Sequence, residues 1–221
     1  MQTESRRLER EIEILLGVAV RLSIARAPVD PLRLTGDEAQ QHRALAGSPR
    51  LASWVRGRAA LKRLLALLGE TEDTSVIRFP CARLSLTHSG DTAVAAGTPC
   101  AVLRGIGIDL ELDRGPSTAA ARLFLTEGER RRCAAPLQPR DLMRLWTIKE
   151  ALYKANPTNA ETWFTDYIVA DPGASVGTAS LVRRRRRLPM RYCSVPFDTG
   201  WLSLAVLPRR EGHHGSDAQR Q

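Results

Sequence analysis

The chain has 221 residues, 43% of them apolar, and a formal net charge of +9. This length and composition allow one large domain or two of roughly 100 residues, each with a buried core, and exclude a disordered chain. No stretch reaches the roughly 18 apolar residues of a membrane span, so we expect neither a membrane segment nor a secretory leader. The positive charge predicts an anionic ligand or partner, and nucleic acid, a phosphorylated cofactor and an acidic protein all satisfy it.

The four cysteines lie far apart and include no CxxC pair. This spacing argues against a zinc knuckle, a thioredoxin-type motif and a disulfide framework. We therefore expect the reducing cytoplasm as the compartment. The cysteines are Cys81, Cys100, Cys133 and Cys193.

The first third of the chain predicts one strand and two helices. Residues 12–24 alternate between apolar and polar side chains, which is typical of a strand. Residues 36–45 have the composition of a short polar helix. Residues 52–68 place apolar side chains on one face at helical spacing, and Gly69 ends this stronger helix.

The pattern then changes to short β segments. Residues 84–87 and 92–96 predict two strands, with Ser89-Gly90-Asp91 as the turn between them. Residues 106–112 predict a further strand, because apolar and acidic side chains alternate along it.

Helices and strands recur in the second half. Residues 127–133 predict a short helix, and residues 141–155 a longer one with Asp141 as its N-cap and Asn156-Pro157 as its end. The predicted strands that follow are 167–169, 180–187, 192–195 and 201–207, before a polar tail. Because helices and strands occur once before about residue 105 and once after it, we expect an α+β architecture.

The segment Gly105-Ile106-Gly107-Ile108-Asp109-Leu110-Glu111-Leu112 carries the first chemical signal. Alternation along a strand places the apolar side chains on one face and Asp109 and Glu111 together on the other. Two carboxylates with room for water and phosphate oxygens are a usual protein contribution to a Mg²⁺ site, and the glycines would let a bulky ligand approach the backbone. The alternative is an ordinary exposed face of an edge strand.

A second signal lies in the helix that ends near Lys154. Glu150 and Lys154 are four residues apart and share a helix face, with Lys149 adjacent. In the functional interpretation Glu150 is a third metal carboxylate and the lysines neutralise phosphates. The alternative is a solvated helix surface, on which such pairs are common.

A third signal is His88, which follows a predicted strand at a turn. An imidazole there could donate a hydrogen bond to a phosphate. The alternative is an ordinary surface or core histidine.

In combination, these motifs resemble the 4′-phosphopantetheinyl transferase superfamily, specifically its larger single-chain type that acts on carrier proteins of peptide and polyketide synthases. The likeness rests on His88-Ser89-Gly90, Gly107-Ile108-Asp109-x-Glu111 and Trp146-x-x-Lys149-Glu150-Ala151-x-x-Lys154, in that order. The basic stretch at residues 55–61 extends it toward the N-terminus.

The resemblance implies a phosphopantetheinyl transferase fold, in which two similar α/β halves are related by a pseudo-twofold axis. The halves would be residues 1–104, which bind coenzyme A, and residues 105–208, which bind the metal and hold the catalytic residues, with a mobile tail at 209–221. The resemblance also implies a role for each motif residue. Asp109, Glu111 and Glu150 would bind Mg²⁺; His88, Thr87, Lys149, Lys154 and Arg58 would bind coenzyme A; Glu150 and Lys154 would be catalytic.

The implied reaction transfers 4′-phosphopantetheine from coenzyme A to a serine of an apo acyl or peptidyl carrier protein and releases 3′,5′-ADP. The resemblance further implies a cytoplasmic monomer with no nucleic-acid or membrane partner.

The chain departs from the family pattern at four places. Phe79-Pro80-Cys81-Ala82 retains only a proline of the usual stretch before the histidine motif, and Thr87 stands where serine is common. Residues 155–159 replace the usual glycine-containing turn. The arginine that binds the ribose phosphate is ambiguous, because Arg50 and Arg56 also lie near Arg58.

Two rival functions are weighed against this interpretation. The arginine run Arg183–Arg187, combined with a carboxylate metal site, would suit a Mg²⁺-dependent nucleic-acid enzyme. Against it, only 5% of residues are aromatic, and the run also suits a solvated edge strand or a docking site for an acidic carrier protein. The second rival is a catalytically degenerate binding protein for coenzyme A or a carrier. His213-His214 lacks partners at metal-ligand spacing, so we expect a disordered tail there.

Overall fold

The computed structural model of the chain describes residues 2–27, 33–99, 103–113, 115–133, 136–183 and 186–209. The helices are α1 Gln2–Leu16, α2 Gly36–Ala44, α3 Leu51–Leu68, α4 Ala121–Phe124, α5 Glu127–Arg132 and α6 Pro139–Lys154. The strands are β1 Arg21–Arg26, β2 Leu84–Ser89, β3 Thr92–Gly97, β4 Leu103–Glu111, β5 Tyr167–Val169, β6 Val176–Arg183, β7 Arg186–Phe197 and β8 Gly200–Pro208. None of the helices in the described ranges is long and apolar enough to cross a lipid bilayer.

Two antiparallel sheets divide the strands in chain order. The first has the strand order β1-β3-β2, and the second has the order β4-β8-β7-β6-β5. Helix α3 packs against the first sheet, and α6 against the second. The predicted α+β class is therefore confirmed. The functional division into halves at residue 104 stays a prediction.

One hydrophobic core joins the two sheets. It contains apolar side chains of α1 and β1, such as Leu8, Ile12 and Leu22, together with Ile106, Ile108 and other residues of the second sheet. Because the sheets bury these faces against each other and against α1, their separation would expose apolar surface. The two sheets are thus parts of one folded unit.

Glycines allow α6 to lie directly on β4. A Cβ atom at Gly105 would stand 1.8 Å from the carbonyl oxygen of Ala155, and one at Gly107 would stand 2.0 Å from that of Ala151. The interpretation that these glycines admit a bulky ligand is therefore wrong, because the helix backbone occupies the space. Asp109 shares this face of the strand, so the same packing directs its carboxylate toward α6.

Side-chain hydroxyls connect β2 with β4 at the junction of the two sheets. The backbone N–H groups of Ile108, Leu110 and Leu112 donate to the hydroxyls of Ser85, Thr87 and Ser89 at 3.0, 3.2 and 2.9 Å. We call these three contacts the hydroxyl ladder. Each connects residues 23 positions apart, so the two strands run alongside each other in a fixed register. The ladder thereby places the His88 end of β2 beside the acidic end of β4.

A buried carboxylate anchors α2 to α3. Glu38 is fully buried, contacts Lys62 Nζ at 2.7 Å, and accepts hydrogen bonds from the backbone and hydroxyl of Thr74. Burial alone would raise the pKa of Glu38, but these donors and the Thr35 N–H outweigh it and lower the pKa to about 2. Glu38 is therefore charged at neutral pH, and α2 is held against the first sheet's helix.

Several predicted element boundaries were wrong. Residues 12–24 do not form one strand: α1 continues to Leu16, and β1 begins at Arg21. Helix α6 begins at Pro139 with Gln138 as its N-cap, ahead of the predicted Asp141.

The described arginines of the run lie in two paired strands, because β6 ends at Arg183 and β7 begins at Arg186. Residues 184 and 185, Cys100, and the tail with His213-His214 lie outside the described residues. The other three cysteines are free thiols.

Candidate active site

Two acidic side chains contact one lysine where β4 faces α6, and a third acidic side chain lies near them. Lys154 Nζ lies 2.6 Å from Asp109 Oδ1 and 3.9 Å from Glu150 Oε2. Glu111 lies two residues beyond Asp109 on the same strand face. The structure thus brings together four of the residues that the motifs predicted, by placing the strand against the helix.

Asp109 is the buried member of this group. Its side chain is 5% exposed, and Oδ1 accepts hydrogen bonds from Thr87 Oγ1 at 3.0 Å and from Lys154. Oδ2 is buried and has no hydrogen-bond partner among the described residues. Burial raises the pKa of Asp109, opposed by Lys154 and Thr87. A buried carboxylate oxygen without a donor is costly, so it is a position where a cation or donor would bind favourably.

Glu111 and Glu150 are electrostatically coupled to Asp109. Burial and then the charge of Asp109 raise the pKa of Glu111, while a hydrogen bond from Trp146 opposes the shift. Burial raises the pKa of Glu150 to about 7; Lys154 opposes this shift, and the negative charges of Asp109 and Glu111 add to it. The three carboxylates therefore repel one another, and an added cation would relieve the repulsion.

The carboxylates suit a Mg²⁺ ion that takes its remaining ligands from water and phosphate oxygens. Within the described ranges, no three His, Cys, Asp or Glu side chains form a ready-made metal cage. Lys154 instead supplies the cation that contacts Asp109. Mg²⁺ commonly binds one or two carboxylates and completes its shell with water and phosphate oxygens, so a complete protein cage is not required. The orphan oxygen of Asp109, with Glu111 and Glu150 beside it, satisfies that smaller requirement.

His88 stands at the edge of this acidic group. Its ring lies against α3, because a Cβ atom at Gly57 would be 2.6 Å from His88 Nε2. Partial burial, followed by the positive charges of Lys154 and Arg56, lowers the pKa of His88, while a hydrogen bond with the Ser53 backbone opposes the shift. His88 is therefore neutral at pH 7, with two cations close enough to influence it.

Two predicted coenzyme A contacts are corrected by the structure. Lys149 is completely buried, and its ammonium group donates to both Glu129 oxygens at 2.7 and 2.9 Å and to the carbonyl of Tyr167. Thr87 is 3% exposed, and its hydroxyl both donates to Asp109 and accepts from Leu110. Neither group is available to a phosphate, because protein atoms already use its polar atoms.

Arg56 is an arginine whose charge acts on His88, whereas the role predicted for Arg58 stays a prediction. Arg58 donates to the Thr74 carbonyl at 2.8 Å and stacks on Trp54, with 5.1 Å from Cζ to the ring centroid. Arg56 donates to the Gly90 carbonyl at 3.2 Å. Its Nε is buried and without a hydrogen-bond partner among the described residues. The contacts of Arg58 are thus with Thr74 and Trp54, and they do not support its predicted binding of the ribose phosphate.

A cavity of about 830 Å³ lies elsewhere, between α1, β1 and α3. None of the predicted site residues lines it. This cavity is therefore separate from the carboxylates, and a coenzyme A cleft between the halves stays a prediction.

Sequence reasoning missed the roles of Trp146 and Glu129. Trp146 Nε1 donates to Glu111 Oε1 at 3.1 Å. Its spacing was a usable signal, since Trp146, Glu150 and Lys154 succeed one another at intervals of four and share a helix face. Glu129 gave no comparable signal, because its partner Lys149 lies 20 residues away.

The two sheets, the carboxylate group and its lysine define an α+β protein with an acidic site at the junction of its sheets. Residues 105–202 match the family model of the 4′-phosphopantetheinyl transferase superfamily, a span that contains all three carboxylates and Lys154. This region, slightly less than half of the chain, is therefore similar to the superfamily, and the match supports a transferase that moves a phosphopantetheine group. A search of curated protein sequences found no significant match.

Proposed function

We propose that the protein transfers 4′-phosphopantetheine from coenzyme A to a serine of an apo acyl or peptidyl carrier protein, with Mg²⁺ as the required ion. The observation that carries the proposal is the site around Asp109. A buried carboxylate with one orphan oxygen faces Lys154 and two further carboxylates, within a region that matches the transferase family.

Glu150 is the residue that we assign to accept the proton of the carrier serine. Its side chain is 21% exposed, whereas Asp109 is almost fully buried, so an incoming hydroxyl can reach Glu150 more readily. The serine oxygen forms a bond to the β-phosphorus of coenzyme A, and the bond from that phosphorus to the bridging oxygen breaks. The proton passes to Glu150, and 3′,5′-ADP leaves.

We assign the binding of the coenzyme A phosphates to Lys154. Its side chain is 28% exposed, and its charge is positioned against negative groups. An ammonium fixed there would stabilise the negative charge that accumulates on the leaving phosphate. Arg56 would add a second cation from the first half of the chain, beside His88.

Asp109, Glu111 and Glu150 are the residues that would hold Mg²⁺. When bound, the ion supplies Lewis-acid stabilisation of the pyrophosphate oxygens. Asp109 offers its orphan oxygen for this purpose, and the hydrogen bond from Thr87 fixes the orientation of the carboxylate.

The positive charge of the chain suits both substrates of the proposed reaction. The net charge of +9 would steer an anionic coenzyme and an acidic carrier to the protein. We further propose that the protein acts as a monomer in the cytoplasm.

The test is the intact mass of an apo carrier protein after incubation with this protein, coenzyme A and Mg²⁺. We expect a mass gain equal to one phosphopantetheine arm, and loss of that gain with EDTA or with Glu150→Gln. The matched control is Glu127→Gln on α5, which makes the same chemical change at a side chain that is 70% exposed and pairs with Arg131 on the helix surface. We expect this control to transfer like the unmodified protein.

Two results would contradict the proposal. If several unrelated carriers gain no mass although the protein is folded and binds coenzyme A, a degenerate binding protein becomes the better description. If the protein binds no coenzyme A at all, the transferase assignment fails.

A further inference from the structure

A hydrogen bond links Trp146, one of the aromatic side chains on α6, to the acidic site. Trp146 Nε1 donates to Glu111 Oε1 at 3.1 Å. Glu111 is the last residue of β4. A glutamate has three side-chain torsions to fix, so a partner on a neighbouring helix restricts it strongly.

The indole itself is held by neighbours on two sides. The Trp146 ring lies 5.2 Å from the Phe124 ring and 5.1 Å from the Phe164 ring, measured between centroids. Phe124 is completely buried, and Phe164 is in turn packed against Tyr153 at 5.1 Å. The short helix α4 thus supplies the aromatic contact that keeps the indole N–H directed at Glu111.

The chemistry of the donor suits a carboxylate that must keep its charge. An indole N–H is a neutral, donor-only group, so it fixes one oxygen of Glu111 without neutralising it. A cationic donor such as Lys154, which contacts Asp109, would compete directly with a bound metal ion. Outer-sphere donors of this kind orient metal-binding carboxylates and raise metal affinity.

We propose that Trp146 is a positioning residue that holds the Glu111 carboxylate in the orientation for binding a divalent cation. This inference rests on the proposed function only in its assignment of Glu111 as a metal ligand. It assigns no catalytic contact to Trp146, which acts through Glu111 alone.

The chain offers a matched control in Trp201. Its backbone pairs with that of Glu111 across β4 and β8, so the two residues are direct neighbours in the sheet. The Trp201 Nε1 atom is buried but has no hydrogen-bond partner among the described residues. Trp201→Phe therefore removes the same ring area and an indole N–H that contacts no carboxylate.

The experiment measures binding of Mn²⁺ to the full-length protein with coenzyme A present and no carrier, by electron paramagnetic resonance. We expect Trp146→Phe to raise the Mn²⁺ dissociation constant roughly tenfold, as loss of an outer-sphere partner typically does. Trp201→Phe should change it by less than about twofold, since no donor to a ligand is lost. Replacement of Trp146 by benzothienylalanine, which keeps the ring volume but has no N–H, should reproduce the effect of Trp146→Phe.

The outcomes separate a positioning role from a packing role. If the benzothienylalanine variant binds Mn²⁺ as tightly as the unmodified protein, or if Trp201→Phe weakens binding equally, the proposal is overturned. If the unmodified protein binds no Mn²⁺, both this proposal and the metal assignment fail. Failure of phosphopantetheine transfer with normal Mn²⁺ binding would instead overturn only the proposed function.

Discussion

Replacement of Lys149 by methionine is expected to destabilise the fold without weakening coenzyme A binding. The Lys149 ammonium contacts both oxygens of Glu129, and both side chains are fully buried. Removing one partner of a buried ion pair typically costs about 3–5 kcal/mol, because the other charge stays behind without compensation. In a chain of about this size 1 kcal/mol lowers the melting temperature by about 2–4 °C, so a decrease of roughly 6–20 °C is expected.

Thermal unfolding followed by circular dichroism would measure the decrease in melting temperature. Coenzyme A affinity would be measured by calorimetry well below that temperature. Glu129→Gln combined with Lys149→Met removes both charges and should recover part of the lost stability. Lys154→Met should weaken coenzyme A binding instead. The reasoning is refuted if Lys149→Met melts like the unmodified protein and binds coenzyme A more weakly.

Three further predictions follow from the packing of the site and of the first sheet. Gly107→Ala should cost about 1–3 kcal/mol or more in urea unfolding and reduce transfer, because the added methyl group collides with the backbone of α6; unchanged stability would contradict the close packing. Thr87→Val should cost about 1–3 kcal/mol by leaving the Leu110 N–H without its acceptor, whereas Thr87→Ser keeps the hydroxyl and should cost less in the same assay; equal losses would count against the hydroxyl ladder. Because the pKa of Glu38 is about 2 in the folded protein against an ordinary 4.5, its contribution to stability is present above pH 4.5 and is lost as the pH falls toward 2. Glu38→Gln should remove that part of the pH dependence, and an unaltered curve of unfolding free energy against pH would refute the assignment.

The acidic residues of the site could be predicted because the strand and helix periods determine which side chains share a face. Alternation along β4 places Asp109 and Glu111 on one face, and helical spacing places Glu150 and Lys154 on another. Only the packing of α6 on β4 was then needed to bring the four together, and the match to the family region is consistent with that arrangement.

The errors concern residues whose environment depends on distant partners. Lys149 follows the same helical spacing as a solvent-facing lysine, and only the fold places Glu129 against it. Arg58 and Arg56 are two positions apart on one helix, so their directions differ, but sequence alone does not say which one faces His88. The strand predicted over residues 12–24 failed because Leu8, Ile12 and Leu16 also repeat at helical spacing, and all three are buried on one face of α1.

The face of β4 that contacts α6 carries side chains of increasing size along the strand. Gly105 and Gly107 have no side chain at the end where the helix backbone is in contact, and Asp109 and Glu111 follow in that order. The helix backbone therefore contacts the strand directly at the glycines, whereas side chains lie between strand and helix at Asp109. The close approach of the helix thus depends on glycines, which have no functional group of their own. A larger residue at Gly105 or Gly107 would push the helix away from the strand and move Glu150 relative to Asp109. Such a substitution would impair the reaction although it touches no substrate.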